Sequence, residues 1–318
     1  MRIGLHIGKF DWFGSPKNIG KKLTEIAKTA DMMGFYSLWV MDHLFQLGTQ
    51  YGSVHGPVEA PMLEGYSTMS YLAALTHQIK LGLLVTCNFF RYPGLLVKTV
   101  STLDVLSGGR AYLGLGAGWF EREAKGLGIP FPSRRERFER LEETLQIAKQ
   151  MWAGNTNVFE GKHYQLKEPL NNPQPLSQPH PPILIGGGGE KKTLRLVAKY
   201  ADVCNFVIRS PSELEEFGVL RLKETEKIED SLDVLRRKLV ILKQHCNDVG
   251  RPYSDIEKTV VTYIKIASDA MDASEIIDLC RKFADVGFSH VIFNMPNVHE
   301  ITPLEIIGNE VIPQVADI

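Results

Sequence analysis

The chain has 318 residues, 44% of them hydrophobic, with 36 Lys and Arg against 37 Asp and Glu for a formal net charge of −1. That is apolar material for one large domain or two ordinary ones, and too little net charge to attract nucleic acid or an anionic membrane. The four cysteines, Cys87, Cys204, Cys246 and Cys280, form no CxxC pair, so reduced thiols in a cytoplasmic protein are expected, not a zinc knuckle or disulfide framework.

The first strand is expected at residues 3–8, without the charged, apolar and small-residue sections of a signal peptide. No apolar run is long enough to span a bilayer. Ile19, Leu23, Ile26, Ala27, Ala30 and Met33 then recur at helical spacing, and Gly34 closes that helix. A buried strand over 37–41 ends at Asp42-His43. Residues 44–64 form a long loop carrying Phe45, Tyr51 and His55, of the kind that makes lids and binding loops.

A helix over 66–77 leads to a third strand over 80–87, and a helix over 93–105 ends at Ser107-Gly108-Gly109. A fourth strand over 110–115 runs into Gly114, Gly116 and Gly118 at every second position. The helix over 134–152 places Phe138, Leu141, Leu145 and Ala148 on one side. Residues 154–182 read as an insertion containing a hairpin with a Glu160-Gly161-Lys162 turn. Strands follow at 183–185, 202–208, 259–266 and 290–294. Helices are expected at 190–200, directly after Gly186-Gly187-Gly188-Gly189, at 212–247, and from Asp272 to Gly287.

Eight strands alternating with helices predict an α/β fold, a single (β/α)8 TIM barrel over residues 1–318 with insertions after strands two and four. A doubly wound sheet would want a GxGxxG turn after its first strand, and Gly8-Lys9-Phe10-Asp11 does not supply one.

Such a barrel carries its chemistry at the C-terminal ends of its strands, which singles out three places. Asp42-His43 offers a general acid or base, with Asp42 capping a turn as the plainer role. Gly186, Gly187, Gly188 and Gly189 before a helix offer freed amides to a phosphate or carboxylate. Gly114, Gly116 and Gly118 share one face of their strand; they either leave room for a flat ring or permit close packing. His6, His43 and His290 stand on separate strands without an HxH pair, so no metal site is expected.

Residues 38–43 (Leu-Trp-Val-Met-Asp-His), 82–93, 102–110 and 114–121 (Gly-Leu-Gly-Ala-Gly-Trp-Phe-Glu) together resemble the bacterial luciferase-like superfamily. The resemblance spans essentially the whole chain and is nearest to the branch using the 5-deazaflavin coenzyme F420. It implies an oxidoreductase that exchanges a hydride between F420 and a small organic substrate, in a homodimer. By position, Asp42 and His43 would face the ring, with His43 the acid or base. Leu84-Val85 would be a non-prolyl cis peptide supporting the ring, with Thr86 and Asn88 at its edge and Gly116 nearby. Gly186–Gly189 would hold the phosphate.

Two positions depart from the branch. Where its sugar-phosphate and alcohol dehydrogenases carry a tryptophan and a glutamate, this chain has Leu47 and Ala117, leaving Glu121 as the nearest carboxylate. The alternatives are an FMN-dependent monooxygenase, a non-redox sugar-phosphate aldolase or isomerase, for which no catalytic lysine or carboxylate pair is clearly placed, and a non-catalytic flavin-binding barrel.

Overall fold

A computed structural model describes residues 1–49, 55–208 and 224–318, with the side chains of 224–228 and 230 outside the description. The strands are β1 (Arg2–Ile7), β2 (Ser37–Val40), β3 (Lys80–Leu83), β4 (Thr86–Cys87), β5 (Leu113–Gly116), β6 (Phe159–Glu160), β7 (Gln165–Leu166), β8 (Ile183–Gly186), β9 (Val203–Val207), β10 (Glu257–Tyr263) and β11 (His290–Asn294). Nine of them form one parallel sheet in the order β3-β2-β1-β11-β10-β9-β8-β5-β4. β3 and β4 are halves of one barrel strand, so the ring has eight strands. A parallel bridge between Leu81 and Ala111 joins its ends.

Helices cover the outside because parallel strands need long crossovers. Their apolar sides meet alternate strand residues such as Ile3, Leu5, Ile7, Leu113 and Ile183 in one core. Inside the barrel the alternation puts Gly4 and His6 on one face of β1, and Ile292 and Asn294 on one face of β11. The lower end is closed by a polar plug. Ser37 Oγ meets His290 Nε2 at 2.9 Å and accepts from Trp39 Nε1 at 2.7 Å; His290 Nδ1 meets Glu257 Oε1 at 3.1 Å. Above it lies an apolar layer of Trp39, Tyr112, Leu184, Val203, Val261 and Ile292.

Several boundaries differ from the sequence reading. The third strand is interrupted at Leu84-Val85, whose peptide bond is cis. The helix after the four glycines begins only at Thr193, beyond a turn over 190–192. A six-residue helix, Glu121–Gly126, lies where no element was expected. The hairpin pairs Phe159 with Leu166 and Glu160 with Gln165, so its turn is wider than Glu160-Gly161-Lys162. Glu143 holds that turn by accepting from the amides of Lys162 (2.9 Å), His163 (3.0 Å) and Tyr164 (3.0 Å). Tyr51, and residues 212–223 of the expected helix over 212–247, lie outside the described residues; the helix is described over Glu224–Val249. All four cysteines are buried and free. No described helix is long and apolar enough to cross a membrane.

Candidate active site

A cavity of about 960 Å³ opens at the C-terminal ends of the strands, at the upper end of the ~300–1,000 Å³ usual for ligand pockets. His43 is on its wall, and its partner comes from far along the chain. His43 Nδ1 lies 2.7 Å from Oε1 of Glu123, on the short helix after β5. Glu123 is 2% exposed, and its other oxygen accepts from the amides of Leu44 (2.6 Å) and Phe45 (3.2 Å). A carboxylate in this arrangement only accepts, so Nδ1 carries the proton and Nε2 is left with its lone pair. Trp119 and Phe120 meet the imidazole edge-on at 5.8 and 5.9 Å, fixing its plane. The dyad can therefore take up and return a proton at Nε2 without reorienting.

The carboxylate differs from the one singled out in the sequence: Glu121 is exposed and pairs with Lys125 at 2.8 Å, and the carboxylate that reaches the site is Glu123. Asp42 is committed elsewhere. Both its oxygens are engaged by Arg91, Nη1–Oδ2 at 2.7 Å and Nη2–Oδ1 at 2.9 Å, and Oδ2 also accepts from the Cys87 amide at 2.9 Å. Arg91 continues to Glu64, the residue that caps the helix Gly65–Leu75 through the amides of Tyr66 and Ser67. Burial alone would lower the Arg91 pKa, but the bonds and charge of Asp42 outweigh it and leave it raised. The Asp42–Arg91–Glu64 chain ties the ends of β2 and β4 to the exit of the 44–64 loop.

Leu84, Val85, Thr86 and Gly116 line the cavity. Thr86 Oγ1 is 2.9 Å from the Tyr66 hydroxyl. Asn88 is not among the lining residues; it is fully buried, and its Nδ2 donates to the Arg137 carbonyl at 2.9 Å. Its Oδ1 is buried without a hydrogen-bond partner. The alternating glycines are explained mainly by close packing. A Cβ on Gly114 would sit 2.0 Å from the Leu83 carbonyl, and one on Gly116 2.6 Å from Val85 Cγ2. Gly186 clears the other Val85 methyl in the same way, at 2.9 Å.

Gly186, Gly187 and Gly188 also line the cavity, whereas Gly189 stands behind them. The Gly187 amide is taken by the Asn205 carbonyl at 3.0 Å. Lys238, unmarked in the sequence, reaches the same turn from the helix Glu224–Val249 and donates to the Gly188 carbonyl at 2.6 Å. It is the only Lys or Arg lining the cavity among the described residues. A glycine turn with a lysine across it fits a phosphate in charge and in space.

The roof is apolar: Met41, Leu47 and Phe120 cluster with Phe45 and Met62 from the loop. Leu47 and Ala117 both line the cavity. His55, within the loop and 5% exposed, lines the cavity, as does His6 at the end of β1. No group of three potential metal ligands occurs among the described residues.

The luciferase-like monooxygenase family model matches residues 8–239, and the chain belongs to that family. It is 26% identical over 341 aligned positions to the F420-dependent glucose-6-phosphate dehydrogenase of Microbacterium testaceum strain StLB037, covering 96% of this chain and 97% of that one. Its fold matches an F420-dependent secondary alcohol dehydrogenase in complex with an F420-acetone adduct (TM-score 0.75, 20% identity, 99% of both chains covered). It also matches the coenzyme F420 dependent tetrahydromethanopterin reductase from Methanopyrus kandleri (TM-score 0.75, 16% identity, 99% of both chains covered).

Proposed function

We propose that the protein is an oxidoreductase that exchanges a hydride between coenzyme F420 and a small organic substrate. The observation that carries this reading is His43, on the cavity wall with Nδ1 held by Glu123, which leaves Nε2 as the ring nitrogen for a proton acceptor or donor role. The F420-dependent relatives support the choice of cofactor. When bound, the deazaflavin supplies a two-electron hydride centre; it carries the redox chemistry while the protein orients and shields.

The residues divide as follows. His43 takes the proton from a substrate hydroxyl during oxidation, or returns it during reduction, and Glu123 balances the resulting imidazolium charge. Leu84, Val85, Thr86 and Gly116 form the wall against which the ring lies. Gly186, Gly187 and Gly188, with Lys238, receive the phosphate. Asp42 keeps the wall in register through Arg91. Leu47 with Phe45 and Met62 of the 44–64 loop, together with Ala117, excludes water over a partly apolar substrate. The whole chain acts as one barrel domain with insertions at 44–64 and 154–182, as a homodimer in the cytoplasm.

Incubation with F420 and a panel of alcohols, or with reduced F420 and the matching ketones, tests the reading through the cofactor's absorbance. Turnover of at least one pair, lost in His43→Ala, supports it. Oxygen-dependent consumption of reduced FMN would instead favour the monooxygenase alternative. Light scattering at the mass of one 35.7 kDa chain would contradict the dimer.

A further inference from the structure

We infer that His6 binds the substrate, and that it selects an uncharged hydrogen-bonding group such as an alcohol hydroxyl or a ketone carbonyl. This deepens the proposed function and rests on it for the identity of the cofactor, not for the ligand at His6.

His6 occupies the inward face of β1 at its C-terminal end, two residues above Gly4. It pairs in register with Asn294, which in turn pairs with Tyr263. All three line the cavity, each two residues above the apolar or glycine position beneath it. Below them the interior is apolar, through Val261 and Ile292. The His6 side chain is thus at the floor of the cavity. It is 5% exposed, yet neither ring nitrogen has a hydrogen-bond partner. The other barrel-interior histidine, His290, has both nitrogens engaged. Leaving a buried polar group unsatisfied is costly, and residues that do so around a cavity are candidates to meet a ligand.

The charge of that ligand follows from the surroundings. Burial drives His6 down to about 3, with His55 and His43 adding to the effect, so at neutral pH the ring is uncharged, one nitrogen donating and one accepting. It gives an anion no counter-charge. Lys238, the only Lys or Arg lining the cavity among the described residues, is engaged at the glycine turn. Glu123 places a carboxylate on the wall, and Arg91 is already committed to Asp42 and Glu64. A carboxylate or phosphate at the floor would be desolvated without compensation. A hydroxyl or carbonyl would complete one ring nitrogen at no electrostatic cost.

The test uses the full chain labelled with 13C,15N-histidine, the His6 signals assigned by their loss in His6→Gln. 2-Butanol and 2-butanone are the neutral probes; lactate and glucose 6-phosphate are the anionic ones. The expected result is a saturable shift of His6 with a neutral probe, and a response to the anions weaker by about tenfold or more, the equivalent of one hydrogen bond. His6→Leu should weaken binding of 2-butanone by about tenfold while F420 affinity stays within about twofold, and His6→Gln should retain most of the binding. An unmoved His6 signal, an equal response to the anions, or unchanged binding in His6→Leu would overturn the inference. The wild-type shift decides the matter even if His6→Leu fails to fold. F420 binding with His6 unmoved overturns the inference alone. A shifted His6 in a protein that binds no F420 overturns the cofactor reading and leaves the inference standing.

Discussion

His43 and Glu123 are 80 residues apart in the chain and 2.7 Å apart in the fold. The barrel brings β2 and β5 to one rim, and the short helix after β5 turns its one buried carboxylate back onto the imidazole. Catalysis by a positioned acid or base typically contributes ~10²–10⁴-fold, so His43→Ala should lower kcat by that range, with F420 affinity within about tenfold. Glu123→Gln keeps the volume but no longer requires the Nδ1–H tautomer. It should lower kcat by about 10–100-fold, a loss typical of removing a group that orients a reactive histidine. Steady-state kinetics on both variants checks this. Full activity in Glu123→Gln would mean that the dyad only packs.

The Asp42–Arg91 pair should be a stability element. The Asp42 side chain is fully buried and that of Arg91 15% exposed. Removing one member of a buried pair strands the other charge, so Arg91→Met should cost about 3–5 kcal/mol in denaturant unfolding. Asp42→Asn with Arg91→Met should recover much of that loss, a coupling that a double-mutant cycle reads directly. Additive losses would show that the two residues act separately.

At the glycine turn the clean variant is Gly188→Val. A Cβ there would meet Lys238 Nζ at 3.2 Å, displacing the cation and filling the turn. Gly187 is less suitable, because φ +114° strains any side chain whatever the ligand. Gly188→Val and Lys238→Met should each weaken F420 binding by about tenfold or more, since a charge-assisted hydrogen bond is worth ~1.5–3 kcal/mol. Isothermal titration checks both. Unchanged affinity in folded variants would move the phosphate elsewhere.

Stability should fall in mild acid. Burial holds His6 at about 3 and also lowers His290, against the raising pull of Glu257. Both titrate in the unfolded chain near ~6.5. Their stabilisation is therefore complete above ~6.5 and declines as pH falls toward their folded values, because the unfolded chain then binds more protons. Each contributes up to ~1.4 kcal/mol per pH unit over that window. Urea unfolding at pH 7, 5.5 and 4.5 should show the decline, and His6→Gln should flatten it. A flat profile would contradict the buried, neutral state of these rings.

The barrel was legible because parallel strands buried on both faces leave short apolar runs such as Ile183-Leu184-Ile185. The strand-end rule then pointed to His43 and the glycine turn. Glu123 was hidden because a six-residue helix has no amphipathic stripe to reveal its inward side, so the neighbouring Glu121 drew attention instead. Arg91 lay in the resembling segment but became meaningful only when folding placed it on Asp42. The glycines of β5 were visible as a pattern, yet what they clear, Leu83 and Val85, belongs to a different strand. Lys238 had no local signal, being one of several charged residues on a helix whose buried side is Leu232, Leu235, Leu239 and Leu242.

The most direct test of the account is an ultraviolet-visible titration of the purified chain with F420 and FMN in parallel. The account predicts saturable F420 binding at least about tenfold tighter than FMN, a difference of ~1.4 kcal/mol. Absence of F420 binding, or preference for FMN, would contradict it.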